Sequence, residues 1–384
     1  MDTDQLEHEL IELWKEVLHL DNLHRDDPFE SLGGTPALGG RLIERLEKRF
    51  ALILHLPWLV AAPTVAQQAA WLQRRCFVAQ APQEGMAEPQ AWRDYFAGRF
   101  TPDPHEVAAE GLNPPALFVL SAARTGSTLL RIMLAGHPQL FSPPELELLL
   151  FPTMQQRKHG LLGGWSDFLG LERALMELSN LDEFAARAQV SQMVATNLST
   201  QQVYRTLQHY CAPRLLVDKS PSYPISRTAL ARLGQWFESV KVIHLVRHPL
   251  ACVRSWTASN FDQVFHAPPR QAAEMDWLLS NENIELACLD RHLVRYEDLV
   301  TEPAMVMREI SEFVQIDFHS AMLTPYEGQR MTERLCGLVS GDKRFYQKSA
   351  IDPAAAQGSR RQPGDGPLSL ETEEMARRYG YTDL

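Results

Sequence analysis

The chain has 384 residues, room for two or three domains of the usual ~150 residues and for a core that needs no disulfide or metal staples. Hydrophobic residues make up 45% and charged residues 22%, an ordinary globular composition. A net charge of −11 gives an overall field that repels nucleic acid and anionic membrane, so neither is expected as a partner. Any phosphate-bearing ligand must meet a local cluster of positive charge. Cys76, Cys211, Cys252, Cys288 and Cys336 are scattered, without CxxC or zinc spacing, and read as small buried hydrophobes in a reducing compartment; no metal site is expected. The acidic start, Met1-Asp2-Thr3-Asp4, lacks the pattern of a secretory leader. The apolar stretch from Phe50 to Pro63 is broken by His55 and Pro57 and is too short for a bilayer. The expectation is a cytoplasmic protein.

Residues 1–76 carry helical periodicity. Leu6, Leu10, Ile11, Trp14, Val17 and Leu18 form one stripe, and Leu42, Leu46 and Phe50 a second. A third helix follows Pro63, with Thr64 as its cap and Val65, Ala69 and Leu72 on its apolar side. This predicts a small helical bundle. Residues 77–113, rich in Ala, Pro, Gln and Glu, read as a linker with one docked helix around Trp92, Tyr95 and Phe96.

From residue 114 the texture changes. Short apolar runs at Ala116–Leu120, Arg214–Val217, Val240–Val246 and His292–Tyr296 alternate with helical segments such as Glu172–Leu178 and Ser226–Phe237. The pattern predicts an α/β domain over 114–384, a parallel sheet sandwiched by helices. Ligands of such sheets bind beyond the carboxyl ends of the strands.

Two strand ends carry anion chemistry. The first run enters Arg124-Thr125-Gly126-Ser127-Thr128 and then a helix from Leu129 to Ala135. Gly126 allows a tight turn, the hydroxyls are donors, and the helix start is the positive end of a dipole. An ordinary capped turn would look the same. No Gly-Lys-Ser/Thr stands at Walker A spacing, which disfavours a nucleoside triphosphatase. The second element is Arg247-His248-Pro249, with Ser255 two turns along the following helix. Arg247 offers a planar fork to a phosphate and Ser255 one hydroxyl. Taken singly, Arg247 could equally pair with a carboxylate and Ser255 face solvent. Together they provide two phosphate sites on one sheet, as a ligand phosphorylated at both ends requires.

In that combination residues 115–384 resemble sulfotransferases that use 3′-phosphoadenosine 5′-phosphosulfate (PAPS, which leaves as adenosine 3′,5′-bisphosphate, PAP). The resemblance implies that Arg124, Thr125, Gly126, Ser127 and Thr128 hold the 5′-phosphosulfate, and that Arg247 and Ser255 hold the 3′-phosphate. Phe141-Ser142-Pro143-Pro144-Glu145-Leu146-Glu147 resembles the segment bearing the catalytic glutamate in tyrosylprotein sulfotransferases, and is nearer still to sulfotransferase domains of olefin-forming polyketide synthases. Val217-Asp218-Lys219-Ser220-Pro221 resembles the segment with a transition-state lysine. The implied catalytic set is Arg124, Glu145 and Lys219. Glu147 is the reserve base, turned to the other face by strand alternation, and Asp218 orients. Tyr296 is expected to flank the nucleotide, and Lys343 with Arg344 to close over the 3′-phosphate.

Residues 1–76 resemble an acyl or peptidyl carrier protein, through Asp26-Asp27-Pro28-Phe29-Glu30-Ser31-Leu32-Gly33-Gly34 and Ala61-Ala62-Pro63-Thr64-Val65. The family continues Gly-Gly-Asp/His-Ser-Leu, with phosphopantetheine on the serine. Here Gly33-Gly34-Thr35-Pro36-Ala37-Leu38 puts Pro36 at the serine position, and Gly39-Gly40 is expected to weaken the helix. No phosphopantetheine is therefore expected, and Thr35 faces away from the usual position. The expected function is sulfuryl transfer to a hydroxyl of a polyketide- or peptide-type intermediate or related small alcohol, with assembly-line carrier or synthase proteins as partners. The alternative is a non-catalytic, nucleotide-binding scaffold that recruits such carriers.

Overall fold

The computed structural model describes residues 3–50, 59, 62–76, 89–99, 111–160, 168–259, 269–328, 330 and 348–384. These fall into two compact units, one holding the described residues up to Arg99 and the other those from residue 111 onward.

In the first unit, α1 (Thr3–Leu18), α2 (Pro36–Phe50) and α3 (Val65–Cys76) share one core of Leu6, Leu10, Trp14, Leu42, Leu46, Val65, Ala69 and Leu72. Trp14 donates its indole N–H to Gln68 Oε1 at 3.0 Å, and the Gln68 amide donates to the Ala62 carbonyl, so the buried polar atoms are matched. Thr64 caps α3, its hydroxyl accepting the Gln67 amide at 3.2 Å. Pro36 occupies the first position of α2, where the missing N–H costs nothing, and Thr35 Oγ1 accepts the Leu38 amide. Gly39 and Gly40, expected to weaken this helix, lie within it. Burial of Leu42, Ile43 and Leu46 offsets the cost of about 1 kcal/mol per helical glycine. The helix expected around Trp92 is α4 (Pro89–Arg99), where the Trp92 and Tyr95 rings meet edge-on at 5.7 Å; residues 77–88 and 100–110 lie outside the described residues.

The second unit is built on a parallel sheet of β1 (Ala116–Leu120), β2 (Leu140–Phe141), β3 (Leu215–Asp218), β4 (Val240–Val246) and β5 (Arg291–Arg295), in the spatial order β2-β3-β1-β4-β5. All five β1 residues are buried, as a central strand covered on both faces demands. Helices between strands supply the cover: α5 (Ser127–Leu134) after β1, then α6 (Met154–Gly160), α7 (Leu169–Ser179), α8 (Glu183–Ala195) and α9 (Thr200–Cys211) before β3. Further along come α10 (Arg227–Trp236), α11 (Pro249–Thr257), α12 (Pro269–Leu286), α13 (Tyr296–Thr301), α14 (Pro303–Val314), α15 (Ala354–Gln357) and α16 (Leu370–Arg378). Side chains of β1, β3, β4, β5 and the helices α5, α13 and α14 share one core, including Val119, Ile132, Val217, Ile243, Val294, Leu299 and Ile310. Cys211 and Cys252 are buried as expected, but Cys288 is exposed. The topology steps from β1 to one side for β2 and β3, then to the other for β4 and β5. Beside β1 the connections diverge, which opens the crevice where ligands of such sheets sit.

Candidate active site

The loop between β1 and α5 turns through the left-handed region twice, at Arg124 (φ +67°) and Gly126 (φ +92°). A side chain at Gly126 would meet the Tyr296 ring, 2.4 Å from a built Cβ, so glycine answers both the turn and the approach. Thr125 Oγ1 donates to the Ala122 carbonyl at 3.0 Å, and Ser127 and Thr128 are buried at the positive end of α5. The helix begins at Ser127, two residues before the segment expected from sequence.

Arg247 leaves β4 directly, and His248 and Pro249 start α11. Its guanidinium lies 4.3 Å over the Tyr296 ring and donates to Ser359 Oγ at 3.1 Å and to the Arg124 carbonyl at 3.3 Å. Ser255, on α11, accepts from Arg124 Nε at 3.1 Å. Among the described residues no carboxylate ion-pairs with Arg247. The structure thus brings Arg124, Arg247, Ser255 and Tyr296 into one cluster. Tyr296 is the first residue of α13, immediately after β5.

At the other side of β1, Lys219 follows β3 and Glu145 follows β2. Lys219 Nζ and Glu145 Oε1 form an ion pair, with side-chain exposures of 2% and 24% respectively. A lysine so buried is no solvated surface residue; the carboxylate is what makes its burial tolerable. The Glu145 segment is held from several sides. The Glu145 carbonyl would stand 2.0 Å from a Cβ at Gly170, so α7 approaches as only glycine permits. Buried Arg157 donates to the carbonyls of Leu146, at 2.9 Å through Nη2, and of Glu147, at 3.1 Å through Nε. Buried Asp218 accepts from Ser220 Oγ (3.1 Å), Tyr223 OH (2.7 Å) and Tyr204 OH. Ser220 Oγ and Tyr223 OH in turn accept the amides of Glu147 and Leu148. Two hydroxyl bridges therefore tie the strand end carrying Lys219 to the loop carrying Glu145. Burial raises the Asp218 pKa, and the hydroxyl donors oppose that rise.

Glu147 is separated from Glu145, but not by strand alternation, because β2 ends at Phe141 and Glu147 itself has φ +53°. Its carboxyl is buried and hydrogen-bonded to Ser222, and burial pushes its pKa up to about 8. At neutral pH it is mostly a neutral acid, a poor base beside Glu145. Lys343 and Arg344 lie outside the described residues. Sequence reasoning missed Tyr204, Tyr223, Arg157, Gly170 and Ser359. Tyr223 bridges to Leu148, 75 positions away, Ser359 meets Arg247 across 112, and Tyr204 and Arg157 reach 14 and 10 positions through contacts no local pattern announces; only the glycine carried any local signal. Among the described residues no His/Cys/Asp/Glu group is placed to hold a metal, and no helix is long and apolar enough to cross a membrane.

Arg124, Glu145, Lys219, Arg247 and Tyr296 follow β1, β2, β3, β4 and β5 in turn, so every strand delivers one polar group to the same edge. Fold and site define a parallel α/β protein whose strand ends gather two arginines, a lysine, a glutamate and a tyrosine. Comparison with known proteins narrows this. The sulfotransferase family model matches residues 115–320, more than half the chain, and this chain belongs to that family. It is similar to the sulfotransferase domain from the curacin biosynthetic pathway (39% identity, 71% of this chain and 99% of that domain, TM-score 0.67). The sulfotransferase domain from the Synechococcus PCC 7002 olefin synthase is comparably similar (41%, 72% and 99%, TM-score 0.66). Protein-tyrosine sulfotransferase 1 of Danio rerio is 26% identical over 283 residues, 70% of this chain and 72% of that protein. Residues 8–72 match a second family, the phosphopantetheine attachment site. Malformin synthetase mlfA of Aspergillus vadensis is 38% identical over 68 residues, which are 17% of this chain and only 1% of that synthetase.

Proposed function

We propose that the chain moves a sulfuryl group from PAPS to a hydroxyl of a polyketide- or peptide-type intermediate, with Glu145 as base and Arg124 and Lys219 as the stabilising cations. The observation that carries this reading is the ion pair of buried Lys219 with Glu145 on the same sheet edge as the Arg124–Ser255–Arg247 cluster. A donor with phosphate at both ends needs two cationic sites, and the β1–α5 loop and the Arg247–Ser255 pair are of that kind. The donor set is of the right chemistry: guanidinium forks, hydroxyls, a helix start and an aromatic face at Tyr296. PAPS supplies an electrophilic sulfur whose bond to a phosphate oxygen breaks as the bond to the acceptor oxygen forms.

Negative charge then builds on the departing phosphate, and cations held at that point favour the transition state over the ground state. The Lys219 side chain is held by Glu145 and that of Arg124 by Ser255, so both cations are positioned in advance and little reorganisation is required. Glu145 takes the proton of the attacking hydroxyl, as its partly exposed carboxylate permits. Thr125, Gly126, Ser127 and Thr128 contribute the loop and helix start, and Lys343 remains a proposed contact to the 3′-phosphate. A nucleotide-binding scaffold would need neither a buried lysine nor its carboxylate partner.

The names of the similar domains, a biosynthetic pathway and an olefin synthase, support assembly-line chemistry and an acceptor presented on a separate carrier. The first unit belongs with that reading as a docking domain, because Pro36 offers no hydroxyl for phosphopantetheine and the Thr35 hydroxyl is spent capping α2. Glu145→Gln is the decisive variant. Candidate alcohols incubated with PAPS and followed by mass spectrometry should gain one sulfuryl group with the unaltered protein. With Glu145→Gln the rate should fall by roughly 10²–10⁴, the usual worth of a general base, while PAP still binds. Transfer at the unaltered rate by the variant would remove Glu145 from the mechanism.

A further inference from the structure

Helix α12 carries two neighbouring residues that grip the two anion loops from behind. Asp276, 1% exposed, accepts the Ala123 amide on Oδ2 at 3.0 Å, directly before Arg124. Trp277, wholly buried, donates its indole N–H to the Arg247 carbonyl at 2.9 Å. Adjacent positions on a helix point about 100° apart, so one rigid element reaches two different strand ends. The loops also meet each other, since Arg247 donates to the Arg124 carbonyl. That contact comes from a side chain, and an arriving anion would compete for it. The contacts from α12 end on backbone atoms and are independent of ligand. Trp277 is further locked against Tyr379, edge to face at 6.1 Å, and Asn281, one turn on, bonds His244 within β4 at 2.8 Å. The helix is thus anchored to the strand whose end it steadies.

Burial raises the Asp276 pKa to about 7, and the hydrogen bond from the Ala123 amide opposes that rise. A buried carboxyl beside an anion site is a liability, unless its hydrogen bond to the loop outweighs the charge. We infer that Asp276 and Trp277 are positioning residues that set the register between the β1–α5 loop and Arg247, and so the spacing at which both ends of one doubly phosphorylated donor are gripped. The inference rests on the proposed donor site; neither residue touches the donor.

The test is calorimetric titration with PAP together with steady-state kinetics at varied PAPS. Trp277→Phe keeps the ring and removes only the N–H. Asp276→Asn keeps an oxygen that accepts the Ala123 amide, and Asp276→Leu removes it. Trp277→Phe and Asp276→Leu should each weaken PAP about tenfold, one hydrogen bond's worth, and raise the KM for PAPS while kcat at saturation holds within about twofold. Asp276→Asn should stay within about threefold of the unaltered chain. Because the two contacts serve one register, the double variant should lose less than the product of the single losses. Should Asp276→Leu fail to fold, Trp277→Phe still decides. Unchanged PAP affinity in folded Trp277→Phe, or a kcat loss without change in KM, would overturn the inference. Failure of the unaltered chain to bind PAP would instead strike the donor site itself.

Discussion

Replacing Arg247 by alanine probes the 3′-phosphate site without any knowledge of the acceptor. A guanidinium has five N–H donors. Nε donates to Ser359 and one Nη1 hydrogen to the Arg124 carbonyl, so among the described residues the Nη2 side of the fork is left for an anion. A hydrogen bond to a charged group contributes about 1.5–3 kcal/mol, and Arg247 is half-buried rather than fully desolvated. The expected loss for PAP is therefore about 2 kcal/mol, or roughly 30-fold, measured by isothermal titration calorimetry at fixed ionic strength. Arg247→Lys keeps the charge, but not the fork or the contact with the Tyr296 face, and should recover only part of that loss. Affinity within twofold of the unaltered protein, in an alanine variant with unchanged thermal stability, would show that the 3′-phosphate is not held at Arg247.

Gly126→Ala places a methyl group against the Tyr296 ring at a left-handed φ. It should lower the melting temperature and abolish PAP binding, whereas Gly40→Ala, in open space on α2, should do neither. Glu147 has a folded pKa near 8, well above its unfolded value, so its contribution to stability is complete below about pH 4.5 and is lost as pH rises toward 8. The stability of Glu147→Gln relative to the unaltered chain should accordingly improve between pH 5 and pH 8 in thermal melts; a constant difference refutes burial as the cause. On the proposed reading that Pro36 takes the place of the modified serine, incubation with coenzyme A and a broad-specificity phosphopantetheinyl transferase should leave the mass of the chain unchanged. A mass gain mapped to residues 31–38 would reverse the reading of the first unit.

The sequence alone settled the elements whose signals are local. The runs at Ala116–Leu120 and Val240–Val246 matched the observed strands; the first is continuously apolar, as a strand buried on both faces demands, and the second is mostly so despite Lys241 and His244. Thr64 announced α3, and the order Arg124 to Thr128, Glu145, Lys219, Arg247 and Ser255 pointed to the family now shown. The two-residue β2 escaped notice, as a strand that short has no period to detect. What only tertiary structure decided is which groups meet. Lys219 and Glu145 are 74 residues apart, and Asp276 and Ala123 are 153 apart. Nothing in either local sequence encodes those meetings. They arise because parallel strands stack their carboxyl ends at one edge, and because buried charges and amides must find partners there once water has left.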